Sequence, residues 1–161
     1  MDFIGPYMIK TCDKIILDFT CLTMIDPATG WFKIIELPLP SVTVKREGKE
    51  ITEVIIDKTS ASVAKLFNKQ WLSCYPRAKN IIYDNGSEFK LNFKALCKSY
   101  GLKRKPTTVK NPQANTILER IHGVFMDMLR TTNIYMADMT NAEMIDDFLV
   151  NAAWDLRSTY H

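Results

Sequence analysis

At 161 residues, 47% apolar and 24% charged, the chain suits one globular domain built on a single core. Lys and Arg number 21 against 18 Asp and Glu, and a net charge of +3 is too mild to mark a nucleic-acid binder by itself, so phosphate affinity would need local patches. Cys12, Cys21, Cys74 and Cys97 form no close pair, which argues for reduced thiols in an intracellular protein and against structural zinc, and no apolar run reaches membrane-spanning length.

Taken in chain order, the pattern is α/β. Asp2 to Ile4 starts a strand that Gly5-Pro6 interrupts. Lys14 to Ile25, rich in Ile, Leu, Phe and Thr, reads as a long strand, and Asp26-Pro27-Ala28-Thr29-Gly30 turns it into a partner at Trp31 to Leu37. Pro38 and Pro40 stop that partner. Val42 to Val54 alternates apolar and polar residues around Glu47-Gly48-Lys49, which fits a surface ribbon or long loop. Ser60 to Cys74 is amphipathic, Asn80 to Tyr83 makes a fourth strand, and Ser87 to Tyr100 makes a helix that Gly101 stops. Leu102 to Thr107 is a fifth strand. Thr140-Asn141-Ala142-Glu143 is a capping box that opens a last helix. No repeat or linker divides the chain, so one domain over residues 1–161 is expected.

Two carboxylates stand out. Asp84, in Asp84-Asn85-Gly86 after the apolar Ile81-Ile82-Tyr83, falls at a strand's end. Asn111 fits a helix N-cap with Pro112 at the first helical position, and Ile117, Leu118, Ile121, Val124, Phe125, Met128 and Leu129 then recur at helical spacing. Stepping about 100° per residue sets Glu119 away from that stripe, beside His122 and Met126. A carboxylate at a strand end and another on a helix are what an oxygen-ligated divalent cation requires. The plain alternatives are a turn residue for Asp84 and a solvated helix residue for Glu119.

Four segments occur in order: Met1-Asp2-Phe3-Ile4-Gly5-Pro6, Met24-Ile25-Asp26-Pro27-Ala28-Thr29-Gly30-Trp31-Phe32, Tyr83-Asp84-Asn85-Gly86-Ser87-Glu88-Phe89 and Asn111-Pro112-Gln113-Ala114-Asn115-Thr116-Ile117-Leu118-Glu119-Arg120. Together they resemble the catalytic core of retroviral and long-terminal-repeat retrotransposon integrases, nearest in flavour to the Ty3/gypsy group. The resemblance implies an RNase H-like fold with a five-stranded mixed sheet flanked by helices. It also implies an Asp, Asp, Glu site holding two Mg²⁺ or Mn²⁺ ions for phosphoryl transfer on DNA, with water in 3′-end processing and with the freed 3′-hydroxyl in strand transfer. Asp84 and Glu119 match two of the ligands. For the first aspartate the candidates are Asp2, Asp18 and Asp26; the family's placement in the first strand favours Asp2, with Asp18 next.

Lys103, Arg104, Lys105 and Lys110 precede the Glu119 helix and Arg120 follows the glutamate, which fits phosphate contacts to element ends and target DNA, or else a solvated face. Gln113, Asn115 and His122 are further candidates for DNA contact. Thr116 and Gly123 depart from the family's usual residues, which keeps open a non-catalytic, domesticated core acting as a DNA-docking or dimerisation module. Another RNase H-like nuclease is the second alternative. The resemblance further implies a homodimer or higher oligomer through the helices at Ser60–Cys74 and Thr140–Tyr160. It places the protein in a cytoplasmic particle and then the nucleus, and makes the chain a segment of a longer integrase or polyprotein.

Overall fold

The computed structural model describes residues 1–10, 16–39, 41–46, 49–76, 78–107, 116–135 and 143–159. Their contacts gather into two compact units. The first comprises Met1–Glu36, Ile82–Asp84 and Lys105–His161, and the second Leu37–Ile81 and Asn85–Arg104.

The first unit is built on an antiparallel meander of β1 (Asp2–Lys10), β2 (Ile16–Ile25) and β3 (Phe32–Glu36), with β2 in the centre. Every residue from Phe19 to Met24 is buried, as expected of a central strand covered on both faces. Gly5-Pro6 kinks β1 instead of ending it. The pairing with β2 shifts register between Ile4 and Tyr7 and then runs on to Lys10. Gly5 has φ +104°, and a Cβ there would come within 2.9 Å of the Phe19 carbonyl oxygen, so only glycine fits the bulge. Asp26 closes the β2–β3 turn: its carbonyl accepts from Gly30 N at 2.8 Å, and its carboxylate accepts from Ala28 N at 3.1 Å and Thr29 Oγ1 at 2.8 Å. That employment suits a turn residue.

Helices α3 (Thr116–Tyr135) and α4 (Glu143–Thr159) lie on this sheet. Leu118, Ile121, Phe125 and Leu129 from α3 and Ile145, Leu149, Ala152 and Leu156 from α4 pack with Phe19, Cys21, Phe32 and Ile34. The apolar stripe of α3 is narrower than the sequence implies, because Ile117 and Val124 are 42% and 50% exposed. Both lie roughly 90° or more around the helix from the buried row, beyond the contact that a flat sheet makes.

In the second unit, β4 (Ser41–Arg46) and β5 (Lys49–Val54) form the ribbon expected from the alternation. Thr59 caps α1 (Ser60–Phe67), its hydroxyl accepting from Ser62 N at 3.3 Å, and a π-helical turn over Asn68–Leu72 continues the helix. The single helix anticipated at Ser87–Tyr100 is two pieces, a 3₁₀ turn at Ser87–Phe89 and α2 (Leu91–Ser99), separated where Leu91 takes φ +35°. Phe93 packs on Phe67 and Phe89 at ring distances of 5.8 and 5.2 Å, while Phe93 N donates to Ser60 Oγ at 3.1 Å. Gly101, at φ +68°, ends α2 as expected: Gly101 N reaches the Lys98 carbonyl at 3.1 Å and Leu102 N the Cys97 carbonyl at 2.9 Å.

Strands β6 (Asn80–Tyr83) and β7 (Lys103–Pro106) pair with each other. The five strands expected in one sheet divide, among the described residues, into the three-stranded ladder β1–β2–β3 and the separate two-stranded ladder β6–β7, beside the β4–β5 ribbon. The Met1 amino group links β1 to β6 by donating to the Ile82 carbonyl at 2.9 Å, but the two strands do not belong to one ladder. No helix among the described residues is long and apolar enough to cross a membrane.

The units differ sharply in charge. The first holds eight Lys and Arg against thirteen Asp and Glu, the second thirteen against five, so the mild overall +3 conceals a segregation.

Candidate carboxylate site

Asp2, Asp84 and Glu119 all belong to the first unit. Asp2 begins β1, directly across from Thr23 on β2, and its Oδ1 accepts from Phe3 N at 2.8 Å. Asp84 follows the last residue of β6 and is exposed. The Met1–Ile82 hydrogen bond brings the start of β1 beside the end of β6, so these two aspartates approach from neighbouring strand ends. The Tyr83 carbonyl accepts from Thr107 N at 2.7 Å, which fixes the backbone just before Asp84.

Glu119 is exposed in the first turn of α3, where the helix dipole favours an anion. One turn on, half-buried His122 has Nε2 at 2.9 Å from Thr23 Oγ1, and the same hydroxyl donates to the Asp2 carbonyl at 2.9 Å. Burial, the largest influence, holds the imidazole below its ordinary pKa. Asp2 and Glu119 act the other way and the Met1 amino group adds to the lowering, which means that both carboxylates stand within electrostatic reach of His122.

Among the described residues, no three Asp, Glu, His or Cys side chains stand close enough together to hold a metal ion. The start of β1, with Asp2, thus lies beside the end of β6, before Asp84, and Asp2 and Glu119 both act on His122, while the described side chains form no group at ligand distance. Carboxylates crowded at about 4 Å would repel by about 4 kcal/mol per pair at an effective dielectric of 20, so such a cluster needs a cation to close it.

The other candidates divide. Lys105 and Arg120 are exposed in the first unit, and Lys103 and Arg104 are exposed in the second. Lys110, Gln113 and Asn115, with the Asn111-Pro112 entry to the helix, lie outside the described residues. Asp18 is exposed on β2, opposite Met8. His122, a candidate for DNA contact in the sequence, has its Nε2 against Thr23 Oγ1. Thr23, fully buried, was not anticipated at all. Thr20 and Thr23 are the two buried polar residues of β2, and a Thr within an otherwise apolar strand was the available sign.

The chain has the fold of retroviral integrase catalytic cores. A chain of the simian T-cell lymphotropic virus intasome in complex with PP2A regulatory subunit B56 gamma matches with TM-score 0.62 and 17% identity, over 95% of this chain and 46% of that one. This chain therefore spans about half the length of that relative. The HTLV-2 integrase catalytic core domain in complex with magnesium, in a dimeric form, matches with TM-score 0.60 and 16% identity, over 95% of this chain and 83% of that one. No protein-family model and no curated protein matches the sequence.

Proposed function

We propose that the chain is the catalytic core of a retroelement integrase, a metal-dependent polynucleotidyl transferase that processes the 3′ ends of element DNA and transfers them into target DNA. The reading is supported by the integrase-core fold together with the Met1–Ile82 hydrogen bond, which sets the start of β1 beside the end of β6, and by His122, which feels both Asp2 and Glu119. An RNase H-like sheet is part of the same proposal.

The donor set is anionic and all oxygen, which suits hard Mg²⁺ or Mn²⁺ and not zinc. Asp2, Asp84 and Glu119 are the residues that would hold two such ions. The chemistry supplied on binding is polarisation of the phosphoryl group and activation of the attacking hydroxyl. The protein's own part is positional. Helix α3, anchored by Leu118, Ile121 and Phe125 in the core, carries Glu119 on a rigid support. Lys105 and Arg120 offer phosphate contacts beside the carboxylates, while the basic surplus of the second unit offers sequence-blind affinity for a duplex. A homodimer or higher oligomer belongs to the proposal, with exposed Val150 and Trp154 of α4 as apolar surface available to it.

Nicking of a labelled duplex in Mn²⁺ tests the reading. Asp84→Asn, Glu119→Gln and Asp2→Asn are expected to abolish nicking while their melting temperatures stay nearly unchanged, since each change is nearly isosteric and removes the negative charge that would hold a hard cation. Asp18→Asn should keep activity. Asp26→Asn should also keep it but lose some stability, because the Asp26 carboxylate holds the β2–β3 turn. Full activity in the Glu119→Gln protein would overturn the reading.

A further inference from the structure

We infer that His122 and Thr23 form a positioning relay that sets the Glu119 helix against the Asp2 strand, a role resting on the metal-site reading above. The argument is a proton count. The Thr23 hydroxyl lies 2.9 Å from the Asp2 carbonyl oxygen and 2.9 Å from His122 Nε2, and it owns one proton. A carbonyl can only accept, so that proton goes to Asp2. The second contact is a hydrogen bond only if Nε2 carries a hydrogen and donates to the Thr23 oxygen. The other tautomer would set two acceptors against one proton around a side chain with no solvent exposure, which buried polar groups avoid.

The chain of bonds therefore runs from His122 Nε2–H to Thr23 Oγ1–H to the Asp2 carbonyl, crossing from α3 through β2 to β1. It grips the backbone carbonyl of Asp2 and not the carboxylate. Its helix end lies one turn after Glu119, on the part of α3 that rests against the sheet. Two elements that must present carboxylates to a shared cation are thus tied a few ångströms from where those carboxylates emerge. Core packing alone leaves a helix room to slide or roll by fractions of an ångström, whereas two directional hydrogen bonds do not. His122 acts here as a positioning residue. Its Nδ1 is then an acceptor, unsuited to meeting a phosphate.

The test reads the relay without relying on activity. The chain has only two histidines, His122 and His161, so nitrogen-15 histidine spectra of the metal-free protein resolve the His122 tautomer. Mn²⁺ binding is then titrated by the resonance of the free ion for the wild type, Thr23→Val, Thr23→Ser, His122→Phe and His122→Gln. The expected result is the Nε2–H tautomer in the wild type. Thr23→Val and His122→Phe should weaken Mn²⁺ binding about 10- to 100-fold, the usual effect of removing a partner behind a ligand. Thr23→Ser keeps the hydroxyl and His122→Gln keeps a donor, so both should restore near-normal binding. An Nδ1–H tautomer would overturn the relay. So would a folded Thr23→Val protein that binds Mn²⁺ as the wild type does while Asp84→Asn does not; should Thr23→Val fail to fold, His122→Phe decides by the same criterion. A wild type with no Mn²⁺ affinity would overturn the metal-site reading, and the positioning role with it.

Discussion

The unit that carries Asp2, Asp84 and Glu119 has an acidic surplus, thirteen Asp and Glu against eight Lys and Arg, whereas the unit around α1 and α2 has a basic surplus of thirteen against five. Each surplus has a local cost. In the acidic unit, half-buried Glu36 has its pKa raised, first by burial and then by Asp146 on α4. Beside it, burial pushes the Cys21 thiol far above its ordinary range, and Glu36 and Asp146 push it further. In the basic unit, Lys94 and Lys98 lie one turn apart on α2, both exposed, a like-charge spacing that disfavours the helix. A chain selected only for stability would mix the signs. Under the proposed function the two regions would do different work: one concentrates negative charge for cations, the other positive charge for a polyanion.

The largest effect that can break this comparison is on duplex binding. Reversing Lys65, Lys69, Lys94 and Lys98 to Glu should weaken non-specific duplex affinity on the order of 100-fold at low salt and flatten the salt slope by up to about 3.6, at about 0.9 per lost phosphate contact. Arg130→Glu in the acidic unit should change affinity little, since Arg130 is already engaged by Asp127 at 3.3 Å. Fluorescence anisotropy across a salt series measures both. Wild-type affinity in the fourfold variant would show the basic surplus to be a solvated face and no more.

That segregation was hidden from the sequence because each unit is assembled from separated stretches, and a net charge of +3 averages over both. Other features were legible wherever a single local rule decided them. Gly101 is one case: only a residue tolerant of positive φ closes a helix that way, and the sequence offered it in the right place. Asp84 and Glu119 stood out as candidate ligands only through their motifs. Neither strand geometry nor helical phase shows that β1 starts beside the end of β6, because the Met1–Ile82 contact joins residues 81 positions apart. The break at Leu91 was illegible for a different reason: no Gly or Pro marks it, and leucine rarely takes the positive φ found there. The His122–Thr23 bond spans 99 positions, and no periodicity reports such a pairing.

A smaller effect sharpens the acidic side. Because the folded pKa of Glu36 lies above its ordinary 4.5, the folded protein binds this proton more tightly than the unfolded chain does. The stabilisation linked to that proton is fully present below pH 4.5 and is lost as pH rises through the folded value. Glu36→Gln should therefore be more stable than the wild type at pH 7 and equal to it near pH 4. Asp146→Asn should reproduce part of the gain at pH 7, since Asp146 is the lesser cause. Urea melts at the two pH values measure the difference. A Glu36→Gln protein less stable than the wild type at pH 7 would mean that the carboxylate is held by favourable contacts, and that the acidic surplus costs nothing there.

The smallest effect separates stability from binding within one residue. Helix α2 has no acidic residue in its first turn and no side-chain cap, and Lys94 precedes Lys98 by four positions. Lys94→Glu replaces a repulsive pair with an attractive one in the better orientation, glutamate nearer the N-terminus. The two changes together are worth about 0.4–1 kcal/mol. At the scaling for a protein of this size, that raises the melting temperature by about 1–3 °C. The same variant should bind duplex DNA more weakly and lose close to one unit of salt slope, because one phosphate contact becomes a repulsion. Gaining stability while losing affinity is the signature of a lysine kept for a partner. A Lys94→Glu protein with unchanged affinity would remove α2 from the binding surface and leave Lys65 and Lys69 to account for it. If stability fell instead, Lys94 would be serving the helix, and the cost assigned to the basic surplus would be wrong.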